Sequence, residues 1–175
     1  MTTVKWGVEE RFAVRAELEL IADRFVFGNV NLVISGETVG DNRLRTLLPT
    51  VANSFSGFLS NEGKRPGDQF AKELESGEIL RQIWCGYYGG EDCAEESDFP
   101  THQYFLCPGP GPTFDGTCII VLEGESTDRL IWRPEGEVNV KAIEMSRDEY
   151  VNPLEGFIRW ALDLVPRDDD LSERP

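Results

Sequence analysis

Histidine is nearly absent from the 175 residues: there is one, His102, in the stretch THQYF. Imidazole-assisted Ser or Cys catalysis therefore has a single candidate base. His102 opens a segment expected to be a strand, where a lone histidine is ordinarily surface. No Gly-x-Ser-x-Gly elbow and no Gly-x-x-x-x-Gly-Lys-Ser/Thr phosphate loop occurs, and Gly89-Gly90 is followed by acid rather than base. Cysteine is sparse as well: Cys85, Cys93, Cys107 and Cys118. No two of them have the short gap of a zinc ribbon. Neither a metal nor any other cofactor is expected. Cys118, inside TCIIVL, is expected to be a buried, inert thiol.

Long apolar runs are missing. No segment reaches the ~18 apolar residues of a membrane span, and the start MTTVKWGVEERF has no signal-peptide core. These features predict a cytoplasmic protein with four reduced thiols. Bases are few: 17 Lys and Arg against 32 Asp and Glu, a net charge of −15. Such a chain is repelled by nucleic acid and anionic membrane and drawn to basic partners.

What is present is alternation and helical periodicity. Phe12–Leu20 places Phe12, Val14, Ala16, Leu18 and Leu20 on one face, the period of a half-buried strand. Phe25–Ile34 reads as a second strand, and Ser35-Gly36 turns it into a third, Glu37–Gly40. Leu44, Leu47, Leu48, Val51, Phe55 and Phe58 make a helical stripe with Asn42 as its cap and Pro49 as an objection. Two short helices are predicted over Asp68–Glu75 and Glu78–Trp84, then irregular chain over Cys85–Pro100. Strands are predicted at His102–Cys107, Thr117–Leu122, Asp128–Arg133 and Glu137–Met145, with Pro108–Pro112 as a rigid connector. A last helix is expected to begin at Asn152 with Pro153 in its first turn, in preference to the capping box at Ser146–Glu149. The fold class is α+β: a mostly antiparallel β-sheet with helices packed on one face, in a single domain over residues 1–165. Residues 166–175 read as a polar, disordered tail.

The acid is unevenly spread. Residues 76–116 hold seven acids and one base, Arg81, whereas residues 41–75 hold five of each. Within CGYYGGEDCAEESDF, the carboxylates Glu91, Asp92, Glu95, Glu96 and Asp98 lie among Tyr87, Tyr88 and Phe99, just after Trp84. Aromatic anchors ringed by charge are the composition of a protein-binding surface. These nine residues are the candidate partner-binding site; no catalytic residue is nominated.

The layout resembles the polymorphic-toxin immunity proteins of immunity protein family 42. FAVRAELEL and FVFGNVNLVISGETVGDNRLRTLL carry it, with the Gly40-Asp41 turn and Leu44–Leu48; so do FDGTCIIVLEGESTDRLIWR, with Phe114-Asp115-Gly116 and Leu130–Trp132, and the final EVNVKAIEM to FIRWALDLV. The resemblance covers about residues 11–165 and implies a non-enzymatic inhibitor in the bacterial cytoplasm that binds and blocks a cognate toxin domain. Many such effectors are nucleases with basic clefts, which an acidic monomer can occupy. The alternatives are a small metalloprotein or enzyme using His102 and the cysteines, and an acidic structural subunit of a host complex.

Overall fold

The computed structural model describes residues 3–41, 43–68, 70, 74–89, 101–106, 112–134 and 136–166. In chain order the elements are β1 (Thr3–Val8), β2 (Phe12–Ala22), β3 (Phe25–Ile34), β4 (Glu37–Val39), β5 (Thr46–Leu47), α1 (Leu48–Leu59), α2 (Ser76–Tyr88), β6 (Cys118–Leu122), β7 (Asp128–Arg133), β8 (Lys141–Met145) and α3 (Arg147–Asp163). The class is α+β in one domain, as expected. The strands form two antiparallel sheets rather than one: β1-β2-β3-β4 with β5 also on β3, and β6-β7-β8.

Alternation builds the first sheet. Phe12, Val14 and Ala16 of β2 and Val26, Val30, Leu32 and Ile34 of β3 are buried on its inner face against α1 and α3. Leu20 departs from the expected face. A register shift between Leu18 and Leu20 inserts one residue, which reverses the phase and sets Leu20 opposite Phe27, 46% exposed. Ser35 and Gly36 both have positive φ (53° and 80°), so the β3–β4 turn takes the hairpin geometry expected of this pair. The sequence reading missed β1, whose Val4 and Trp6 alternate inward while Thr3 and Lys5 face out.

The second sheet is covered on both faces, which is why TCIIVL reads as a continuous apolar run. Ile119, Val121, Leu130 and Trp132 join the core shared with α1 and α3. Cys118, Ile120, Leu122 and Ile131 pack beneath α2 and against Tyr104 and Phe105.

Three expected elements take another form. The α1 helix starts at Leu48, not near Asn42, which lies outside the described residues; Leu44 is 40% exposed before it. Pro49 marks the start of α1, because the first turn needs no N–H from it. Of the two predicted short helices, only the second forms as expected: α2 begins at Ser76 and runs on to Tyr88, whereas Asp68, Phe70, Leu74 and Glu75 are not helical and the rest of Asp68–Glu75 lies outside the described residues. His102–Tyr104 is a 3-10 turn followed by one bridge from Phe105 to Ile120, so His102 is an exposed turn residue. The Pro108–Pro112 connector lies almost wholly outside the described residues.

The start of α3 is also a correction: Ser146 is the cap and Pro153 lies inside the helix. Two contacts favour the longer helix. Glu149 accepts from the Ser146 backbone N–H (2.7 Å), completing the capping box, and from Arg11 Nε (2.6 Å). Pro153 is buried against Gly7: a Cβ at Gly7 would stand 2.7 Å from the Pro153 Cγ, and Gly7 has φ +91°. The lost backbone bond is thereby offset by packing.

Buried charge ties these layers together. Arg65, with no solvent exposure, donates from Nε (3.0 Å) and Nη2 (2.6 Å) to Glu123 Oε1, and from Nη1 to the Phe58 carbonyl (2.8 Å). Its guanidinium lies 3.9 Å over the Phe58 ring. Five residues on, Asp128 accepts from Arg147, from the Tyr150 hydroxyl (2.7 Å) and from the Gly124 amide. Burial pushes the Asp128 carboxyl up, but these donors outweigh it and hold it below the usual range.

Glu123→Gln leaves Arg65 buried without its counter-charge. The expected loss is about 3–5 kcal/mol, a fall in Tm of roughly 10 °C by calorimetry. A Tm within 2 °C of wild type contradicts this account.

The Arg11 guanidinium, aided by the Ser146 amide, lowers the Glu149 carboxyl from 4.5 to about 2. A carboxyl depressed by folding stabilises the protein above its unfolded pKa, and that contribution is lost as pH falls through the folded value. Wild type is therefore expected to lose stability between pH 4.5 and 2, and Glu149→Gln to show a shallower fall there in denaturant melts. An unchanged slope refutes the assignment.

Candidate functional site

Of the nine nominated residues, Trp84, Tyr87 and Tyr88 are described; Glu91, Asp92, Glu95, Glu96, Asp98 and Phe99 lie outside the described residues. Tyr87 and Tyr88, expected on irregular chain, sit with Trp84 on the last turn of α2. Spacing explains their meeting, since Trp84 and Tyr88 are four residues apart and share a helix face. Their rings lie 4.3 Å apart; Tyr87 and Tyr88 lie 4.5 Å apart, and Tyr87 stands 5.1 Å from Phe105.

Phe105, buried, is the base of this cluster and was not nominated from sequence. Arg133 is its other missed member, with its guanidinium 5.7 Å from the Trp84 ring. Their positions far along the chain gave no local signal. Tyr87 and Tyr88 remain 43% and 52% exposed above the buried ring. Burial, then the neighbouring Tyr87, raises the Tyr88 phenol above its ordinary value, so it stays a neutral hydrogen-bond donor at physiological pH. The helix ends at Gly89, which takes a positive φ (65°) that glycine adopts readily.

The cysteines depart from expectation. Cys85 is disulfide-bonded, with its partner outside the described residues. A sulfur in a disulfide is no thiolate donor, so the zinc set that would have used Cys85 loses a ligand. Cys118 is buried and free, and burial pushes its thiol up to about 12, as an inert core residue requires. No group of three or more His, Cys, Asp or Glu suited to a metal occurs among the described residues. None of their helices is long and apolar enough to cross a membrane.

The turn motifs find their reason in space. Gly40, at φ +99°, lies against the Phe114 ring, and the Asp41 N–H donates to the Thr113 carbonyl (2.7 Å). The Gly-Asp and Phe-Asp-Gly turns, about 70 residues apart, form one joint. The family model described as Immunity protein 42 matches residues 4–160. The chain belongs to this family. It is a toxin-neutralising immunity protein, and the metalloprotein and host-subunit alternatives are not favoured. A crystal structure of CdiI from Burkholderia dolosa AUO158 is similar in fold, with a TM-score of 0.68 at 15% identity, covering 91% of this chain and 99% of that one. Comparison with curated proteins finds no match.

A bond at Cys85 consumes two of this immunity protein's four cysteines. Thiol titration of denatured protein purified without reductant is expected to give at most two groups per chain, rising to four after reduction. Four before reduction rules out the bond.

Proposed function

We propose that this immunity protein acts without catalysis, as a monomer that occludes a cognate toxin domain through the surface at the end of α2. Trp84, Tyr87 and Tyr88 supply the apolar anchors, and Glu91, Asp92, Glu95, Glu96, Asp98 and Phe99 continue them. The observation that carries the reading is the paired exposure of Tyr87 and Tyr88 over buried Phe105, immediately before the most acidic stretch of the chain. Half-exposed aromatics held by a rigid base lose little entropy on binding and are frequent hot spots. The carboxylates steer a basic target and speed encounter. A basic nuclease cleft is the toxin surface that this chemistry fits, with the acids standing in for phosphates.

Coexpression with the toxin domain encoded beside this chain tests the reading. Wild type is expected to restore growth and to form a one-to-one complex. The double variant Tyr87→Ala, Tyr88→Ala is expected to weaken Kd at least tenfold while melting within about 2 °C of wild type. Full neutralisation by that variant moves the interface elsewhere. Changing the five acids to their amides is expected to slow association and flatten its salt dependence in stopped-flow measurements.

A further inference from the structure

We propose that the free edge of β1 is a second toxin contact, where an extended segment of the toxin pairs as a sixth strand of the first sheet. The inference rests on the toxin-binding reading and concerns a different surface. Among the described residues, β1 is terminal in its sheet and bonded only to β2. Among the described residues, Thr3–Gly7 make no backbone hydrogen bond outside that ladder. About half of their N–H and C=O groups therefore face outward and unpaired, a template for another extended backbone.

A groove of about 340 Å³ runs beside this edge, between Trp6, Val8 and Phe12 on the strand side and Asp148, Asn152 and Pro153 on α3. Its walls are fixed. Trp6 packs edge-on against Phe157 (5.8 Å) and over Gly156, where a Cβ would stand 2.9 Å from the Trp6 Cγ. Val8, an apolar side chain at the mouth, remains 58% exposed among the described residues. Side chains of an added strand alternate, so one of each pair turns toward α3 and finds this groove. Main-chain bonds give affinity in this mode and the side-chain pocket gives selectivity.

Charge selects the occupant. Glu10, Asp148 and Glu155 are exposed and make no ion pair among the described residues, against one such base on α3, Arg159. Arg11 is engaged by Glu149 and the Glu144 carbonyl, and Lys5 by Glu9. The fitting segment is extended, carries a large apolar side chain and has a basic residue nearby.

The groove also lies within reach of the α2 surface. Arg11 at the groove touches β8 at Glu144, while Val140, just before β8, lines a depression with Trp84. Four residue steps separate Val140 from Glu144, about 13 Å along the strand, a span within one protein–protein interface of standard size.

The test uses the complex of this chain with the toxin domain that wild type neutralises. Hydrogen exchange of the free protein and the complex is compared, and Kd is measured for Val8→Lys and Asp148→Asn, both at exposed positions. At least tenfold slower exchange within Thr3–Val8 on binding is expected. Val8→Lys is expected to weaken Kd at least tenfold with unchanged Tm, and Asp148→Asn to lower the salt slope of association. Unchanged exchange in β1 within a formed complex overturns the strand pairing, whatever the variants do. Unchanged Kd for Val8→Lys overturns the groove as its side-chain pocket. Failure of wild type to bind any neighbouring toxin domain removes the reading underneath, and the inference with it.

Discussion

Arg65 is a guanidinium with no contact to water, and most of the tertiary structure is organised by what satisfies it. The Glu123 carboxylate supplies charge, the Phe58 carbonyl accepts a further N–H, and the Phe58 ring stacks beneath. Those partners come from the end of β6 and the last turn of α1. Backbone bonds extend the junction, from Glu123 N–H to the Arg65 carbonyl and from Gly67 N–H to the Glu123 carbonyl. The segment after α1 is thereby laid beside the second sheet. An apolar pair of equal volume could match this in stability. It would not fix which carbonyl and which carboxylate must meet, and that geometric demand sets the angle between helix and sheet.

The second constraint repeats the logic at the other end of the β6–β7 turn. Asp128 gathers Arg147 and Tyr150 from the first turn of α3, while Arg147 also reaches Glu62 beyond α1. The first turn of α3 is thus held by Asp128, by its own capping box and by Arg11 from the β1–β2 turn. These three holds, two of them sharing the Glu149 carboxylate, explain why a helix with proline in its seventh position is stable. They also explain why the shorter helix beginning at Asn152, which satisfies local propensity better, loses. Local rules assess one turn at a time, and the competing contacts come from residues about 20 and 140 positions away.

The same distinction separates what was legible in the sequence from what was not. Period-two alternation located β2 and β3, and the boundaries of β3 and β7 were read to the residue, because buried and exposed positions along a strand are a property of the local sequence. Leu20 was misplaced because one bulge residue reverses the phase. Pro49 and Pro153 were each misread, in opposite directions: one opens a helix and the other lies within one, and only tertiary contacts distinguish them. The aromatic part of the candidate site was visible as Trp84, Tyr87 and Tyr88. Its base, Phe105, and its cation, Arg133, were hidden because they arrive from distant segments. The Cys85 bond was hidden too, since spacing alone does not specify pairing.

An inhibitor that acts by occlusion, as proposed here, must present a rigid surface, and the distribution of polar groups fits that demand. The buried ionic groups are paired across elements, so they fix geometry. Tyr150 and Cys118 are both driven by burial toward their neutral forms, so neither of these two buried groups is a nucleophile poised near neutral pH. The groups left unneutralised are surface carboxylates, whose effect reaches outward as a field rather than inward as reactivity. Rigidity then decides what the field can accomplish. Steering brings a basic partner to the surface at high rate but does not hold it, because exposed charges are screened and individually weak. Retention requires preorganised apolar and main-chain contacts. In the proposed interface these are the ring cluster braced by Phe105 and the β1 edge braced by α3, each backed by residues packed into the core.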